Sequence, residues 1–288
     1  SSFIAAGTSY SNHSKQMIPF FIYYSMFGFQ RIGDSIWAAA DMRTKGFLIG
    51  GTAGRTTLNG EGLQHQDGHS HLIASTIPNL KAYDPAYAYE IGVIIQDGLK
   101  RMYKDNEDVF YYITLENENY VHPKMPKDVE DGIIRGMYQV KKAKKSKLKV
   151  QLLGSGPILK EVIAASKLLS EDWNIESDVW SVTSYSELHK DAEDINRWNL
   201  LNPNKKDRVS YLNECLNKTE GPIIACSDYV KLVSEQISPY IDCDFTSIGT
   251  DGFGRSSSRN ELRDFFEIDK FYITLAAVNT LYKQNKLS

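Results

Sequence analysis

The chain has few cysteines, no long apolar run and no excess of charge of either sign, and each shortage removes a class of protein. Cys215, Cys226 and Cys243 are the three cysteines in 288 residues. Their wide spacing and odd count fit neither a disulfide framework nor a zinc motif. A reducing, cytoplasmic setting is therefore expected, with the sequons at Asn12 and Asn217 unmodified. No stretch reaches the about 18 apolar residues that a membrane span needs, so no membrane association is expected. A formal net charge of −3 speaks against a nucleic-acid protein held by bulk electrostatics. No leader peptide is read, and the missing initiator Met leads us to expect an internal piece of a longer protein.

What is present is ordinary globular composition, 42% hydrophobic and 24% charged, with 17 tyrosines. Short apolar or aromatic runs alternate with helical patterns. Buried strands are expected over residues 18–24, 47–49 and 109–114, and helices over 27–40 and from Asp84 to about Met102. Asp84-Pro85 reads as the start of that second helix, with Asp as cap and Pro in the first turn. A second pattern follows: strands over 149–153, 179–182 and 222–225, and helices over 157–169 and 269–287. Ile158, Val162, Ala165 and Leu169 share one face of the helix over 157–169. The alternation predicts an α/β protein with two mostly parallel-sheet domains, over 1–142 and 143–288. Between them lie six lysines in nine residues, 141–149, read as a solvated inter-domain linker.

The densest chemistry lies in Gly60-Glu-Gly-Leu-Gln-His-Gln-Asp-Gly-His-Ser-His71, with three histidines, two acidic side chains and three glycines. Glycine lets backbone approach a ligand, while histidine and carboxylate are the usual proton-transfer groups. This segment is expected to be a loop that brings chemistry to a pocket. His65, Asp67, His69 and His71 do not have a common zinc spacing, so His65 is read as catalytic or substrate-binding and no metal site is assigned. His13, His122 and His189 read as isolated surface histidines. Gly154-Ser-Gly156 opens a helix after a strand, but Leu159 stands where a dinucleotide fingerprint needs its third glycine. A tight turn is the better reading. Gly50-Gly-Thr-Ala-Gly-Arg55 lacks the Gly-Lys-Ser/Thr ending of a phosphate loop. Gly249-Thr-Asp-Gly-Phe-Gly-Arg-Ser256 reads as a structural turn before a helix, with anion binding as the alternative.

Four segments resemble one known family. They are Phe20-Phe-Ile-Tyr-Tyr-Ser-Met-Phe-Gly-Phe-Gln-Arg-Ile-Gly-Asp34, Gly50 through His65, Asp84-Pro-Ala-Tyr-Ala-Tyr-Glu90 and Gly249-Thr-Asp-Gly-Phe-Gly-Arg255. Together they are similar to the homodimeric bacterial-type pyruvate dehydrogenase component, a thiamine-diphosphate enzyme of the transketolase-like superfamily. Gly60-Glu-Gly-x-x-His65 also resembles a stretch of transketolases. The resemblance covers essentially the whole chain and implies the middle and C-terminal domains of a three-domain enzyme. It implies oxidative decarboxylation of pyruvate and acetyl transfer to the lipoyl group of a partner acetyltransferase. It further implies that Phe27 stacks on the cofactor's aminopyrimidine ring, that Tyr24 and Arg31 line the pocket, that His65 faces the substrate and that Glu61 lies near the mouth. The sequence has no Gly-Asp-Gly followed some thirty residues on by Asn. Mg²⁺ and the diphosphate are therefore expected on a domain outside this sequence, and the chain alone is expected to be inactive. A transketolase-like two-carbon transfer enzyme and a non-catalytic module keeping the fold remain as alternatives.

Overall fold

The computed structural model describes residues 1–287. Two sheets organise the chain. The first contains β1 (Phe20–Tyr24), β2 (Phe47–Gly51), β3 (Leu80–Tyr83) and β4 (Phe110–Leu115), all parallel, in the order β1-β2-β4-β3. The second contains β5 (Met137–Lys141), β6 (Lys149–Gly154), β7 (Glu176–Val182), β8 (Ile223–Cys226) and β9 (Phe245–Ile248), in the order β5-β7-β6-β8-β9. Only β5 runs antiparallel to its neighbour. The α/β class with two mostly parallel sheets is as the sequence predicts. Among the described residues, no helix is long and apolar enough to cross a membrane.

β4 shows why the strands form where they do. Phe110, Tyr111, Tyr112 and Ile113 are all fully buried, the continuous apolar run of a strand covered on both faces. β1 departs from expectation. Its apolar run predicts a buried strand, yet Phe20, Ile22 and Tyr24 are exposed, Ile22 to 71%. It is an edge strand, paired with β2 on one side only.

The helix after β1 spans Ser25–Asp41 and kinks at Ile32, where φ is −127° and ψ 18°. Asp84-Pro85 does not start the next helix. That helix is Ala88–Leu99, opened by Glu90, whose carboxylate accepts the backbone N–H groups of Ala86 and Tyr87. Asp84 lies three residues ahead of the N-cap, Tyr87, and its Oδ1 is engaged by Thr114 and Tyr229 instead. The helix continues past Leu99 as a wider turn over Lys100–Lys104. In the second unit a short 3-10 turn, Gly156–Ile158, leads into the helix Leu159–Trp173. Ile158, Val162, Ala165 and Leu169 are buried to the last ångström, as their shared face predicts. Asp269 caps the final helix, Lys270–Lys283, by accepting from Phe271 and Tyr272 N–H. That helix stops four residues short of the expected Leu287 because Asn285 takes a left-handed backbone, φ 55°.

The lysine run is not a linker between sheets. It joins β5 to β6 within the second sheet, and Lys141 donates to Ser166 Oγ at 2.6 Å. Sheet membership therefore changes ahead of residue 137. The two units meet through the C-terminal ends of their strands. Asp84 N–H donates to Thr183 O at 2.8 Å, Ser184 Oγ to Ala82 O at 2.6 Å and Val230 N–H to Gly68 O at 2.8 Å. Strand ends of this kind are where open α/β sheets place ligands.

Candidate active site

Tyr24 ends β1, and Phe27 and Arg31 lie on the first two turns of the following helix. A spacing of four residues puts the Arg31 guanidinium 4.0 Å above the Phe27 ring. The loop leaving β2 returns across this surface and ends in a single 3-10 turn, Leu63–His65. The His65 ring meets Phe27 edge-on at 5.1 Å and Tyr24 at 6.0 Å. Tyr24 and Phe27 lie 6.0 Å apart. Glu61 Oε2 stands 3.7 Å from His65 Nδ1, too far for a hydrogen bond but on the same side of the cluster. Tyr24, Phe27, Arg31, Glu61 and His65, drawn from two segments some thirty residues apart, thus form one cluster. It is open on one side: Tyr24 is 50% exposed, and Arg31, Glu61, Ile22 and Leu63 also face solvent.

The other ionisable groups of the glycine-rich segment do different work. Asp67 is buried and accepts Ser25 Oγ at 2.6 Å and the N–H groups of His69 and Ser70, both at 3.0 Å. It thereby ties the segment to the start of the Ser25–Asp41 helix. His69 Nε2 lies 2.5 Å from the Gln30 amide nitrogen. His71 is buried, and desolvation pulls its pKa down, so it is neutral near pH 7. Its Nε2 lies 3.0 Å from Thr114 Oγ1. Since Thr114 gives its one hydroxyl hydrogen to Asp84 at 2.7 Å, His71 is the donor to Thr114. Of the histidines expected at the surface, His13 and His122 are exposed and His189 is half-buried. His122 accepts Ala88 N–H at 3.0 Å, and His189 Nδ1 donates to Gln236 O at 3.0 Å.

The segment before the cluster is fastened to the second unit. Asp228, just past β8, accepts Thr56 N–H at 2.8 Å, Thr56 Oγ1 at 2.7 Å, Thr57 N–H at 2.9 Å and Thr57 Oγ1 at 2.6 Å. Arg55 donates to Gly252 O at 2.5 Å and to Thr250 O. Gln66 Oε1 accepts Arg255 N–H at 2.7 Å, and Gly60 N–H reaches Ser257 O at 3.1 Å. Gly54 is required here, with φ 83° and a position where a Cβ would meet Asp228 Oδ2 at 2.3 Å. The glycine-rich stretch 50–55 is therefore a docking loop, and the turn 249–256 is its receptor. Gly156, with φ 49°, is the tight turn expected after β6. Sequence reasoning missed Asp228. Its only signal is an acidic residue immediately beyond an apolar parallel strand.

Comparison with known proteins fits this arrangement. The pyruvate dehydrogenase E1 component middle domain matches residues 1–123, and the transketolase-like C-terminal domain matches 136–269. The pyruvate dehydrogenase E1 component of Pseudomonas aeruginosa is 59% identical over 283 residues, 98% of this chain. That of Escherichia coli is 54% identical over 288 residues, 99% of this chain. The chain belongs to the pyruvate dehydrogenase E1 component family. It spans about a third of the length of these relatives, 32% of each. The transketolase of Campylobacter jejuni shares the fold at a TM-score of 0.73 and 17% identity, over 96% of this chain and 38% of that one. A split-gene transketolase described as an inactive beta4 tetramer matches at 0.66 and 15% identity, over 98% of this chain and 81% of that one. For this E1-family chain, the unmatched residues 124–135 fall just before β5, where the second sheet begins.

Proposed function

We propose that this chain forms the aminopyrimidine-binding and C-terminal portions of an enzyme that oxidatively decarboxylates pyruvate with thiamine diphosphate and passes the acetyl group to a lipoyl-bearing acetyltransferase. The observation that carries the proposal is the convergence of Tyr24, Phe27, Arg31, Glu61 and His65 at the strand ends. Phe27 is half-buried and Tyr24 half-exposed, so ring surface is available to a flat heterocycle. The donor set suits that ring and a small keto acid. When bound, the cofactor supplies the electron sink for decarboxylation. Phe27 and Tyr24 position its ring, and Arg31 stiffens Phe27. His65 is the group that donates a proton to a developing alkoxide, and Glu61 stands beside it at the mouth.

The diphosphate and Mg²⁺ are assigned to a further domain, because the Gly-Asp-Gly…Asn motif that the resemblance gives them is not in this sequence. The same proposal includes a homodimer, a cytoplasmic setting and two domains, with the division moved from residue 142 to ahead of β5 at residue 137. A ketose-phosphate transketolase is the weaker reading, since its structural neighbours share 14–17% identity and carry the fold alone.

Two measurements test the reading. The 288-residue chain titrated calorimetrically with thiamine diphosphate and Mg²⁺ is expected to bind weakly or not at all. Each tenfold of affinity supplied by the diphosphate and metal is worth about 1.4 kcal/mol. Micromolar binding by this chain alone would overturn the assignment of those groups elsewhere. In the natural-length protein, Phe27→Ala should weaken cofactor binding by about 1–2 kcal/mol. A purely structural Phe27 would instead cost about 3–5 kcal/mol of apo stability. Measuring the apo melting temperature beside the cofactor Kd separates the two.

A further inference from the structure

Away from the cluster, two carboxyl groups meet at the seam between the units. Asp84 follows β3 and Glu116 follows β4. Asp84 is 6% exposed, and its Oδ1 accepts hydroxyls from Thr114 at 2.7 Å and Tyr229 at 3.2 Å. Its Oδ2 has no donor among the described residues, and neither does Glu116 Oε1, which is likewise sealed from solvent. Gly156 closes the space behind, since a Cβ there would lie 2.8 Å from Asp84 Oδ2. Tyr83 pairs with Ile113 across the parallel strands, so Asp84 comes opposite Thr114 with Glu116 two residues further on, and each carboxyl leaves one buried oxygen unpartnered at this seam. Two ionised carboxylates have no hydrogen to place between them. His71 cannot supply one, because its Nε2 proton goes to Thr114.

We propose that Glu116 carries a proton in the folded protein and donates it to Asp84, and that this shared proton latches the Asp84 loop into the seam. The loop is one of the links between the units. Asp84 N–H donates to Thr183 O at 2.8 Å, Gly156 N–H to Asp84 O at 3.2 Å, and Tyr229, just past β8, holds the carboxylate. Loss of the proton sets two anions against each other across the seam, which costs the folded state stability.

The surroundings favour the proton. Burial, then Asp84, then Asp228 hold the Glu116 carboxyl far above the usual carboxylate range. His71 faces Asp84 as a neutral ring. The phenols Tyr120, Tyr185 and Tyr229 face it too, kept protonated chiefly by burial. Glu90 lies beyond Tyr120 and Asp67 beyond Tyr229, both acidic. The cation on this side, Arg263, faces Asp228 and is engaged by Glu118 at 2.6 Å and Glu161 at 3.4 Å.

The sign follows. A carboxyl whose folded pKa lies above its unfolded value contributes full stability below the unfolded value of 4.5. That contribution is lost as pH rises toward the folded value. Melting should be followed in the natural-length protein from about pH 5 to pH 8, wild type beside Glu116→Gln. The glutamine amide donates to Asp84 at every pH. The wild-type folded-to-unfolded ratio is expected to fall by up to tenfold more per pH unit than the variant's, about 1.4 kcal/mol. Parallel profiles would overturn the latch. Should that variant not fold, Asp84→Asn serves the same comparison. Independently, wild-type protein labelled with carbon-13 glutamate should show an infrared carbonyl band of a protonated carboxyl at neutral pH. Its absence would also overturn the proposal. Neither readout depends on turnover, so its failure leaves the proposed activity untouched.

Discussion

Asp228→Ala is expected to destabilise the fold by roughly 3–5 kcal/mol, the range for breaking a buried charged network by removing one partner. Asp228 is 1% exposed and accepts two backbone N–H groups and two hydroxyls from Thr56 and Thr57. Desolvation pushes its pKa up despite Arg263 and these donors, so the buried carboxylate is a costly group in itself. Its removal is worse, because four donors are left in a closed space without an acceptor. The hydroxyls can turn to other acceptors, whereas the two N–H groups are fixed by the chain. Urea unfolding of wild type and variant gives the difference. A loss below about 1 kcal/mol would mean that water enters and satisfies Thr56 and Thr57. Limited proteolysis adds a local readout, since cleavage should increase over residues 52–58.

His65→Ala should lower turnover of pyruvate in the natural-length protein by roughly 10²-fold or more, with an ordinary melting curve. His65 is half-exposed at the end of a single turn and packs by ring edges against Phe27 and Tyr24. Such packing adds little to stability, so fold and chemistry are separable at this position. A group that moves a proton at the reacting centre affects kcat, while one that only binds affects KM. Glu61→Gln should give a smaller loss, because Glu61 stands beside the ring at 3.7 Å rather than at the reacting centre. Unchanged turnover in His65→Ala would remove this histidine from the chemistry.

The legible parts of the fold were those determined by neighbours in sequence. β4 and the helix Leu159–Trp173 carry their burial in their own composition and spacing, and both appear where expected. β1 has equally apolar residues, but its exposure depends on its place at the sheet edge, which its residues do not encode. Asp84-Pro85 reads the same whether the aspartate caps a helix or is recruited by Thr114 and Tyr229, thirty and 145 residues away. The lysine run was misplaced for a related reason. A solvated loop between domains and one between two strands of a sheet have the same composition, and only the pairing of β5 with β7 distinguishes them. Within the site, five residues were named through resemblance and the structure brings all five together. Their anchors lay beyond sequence reasoning, for Asp228 and Thr57 are 171 residues apart.

The loop that carries Glu61 and His65 is rich in glycine, the residue that loses most freedom on ordering. Pinned at Thr56 and Thr57 before the cluster and at Gln66 and Asp67 after it, only the short arc between retains conformational choice. Fixing a backbone residue costs about 1–2 kcal/mol, and here most of that entropy is surrendered when the two units fold together rather than when a ligand arrives. A ligand meeting the cluster would therefore keep more of its interaction energy as affinity. Loosening the second unit, even far from His65, should weaken binding before it alters any contact made to the ligand.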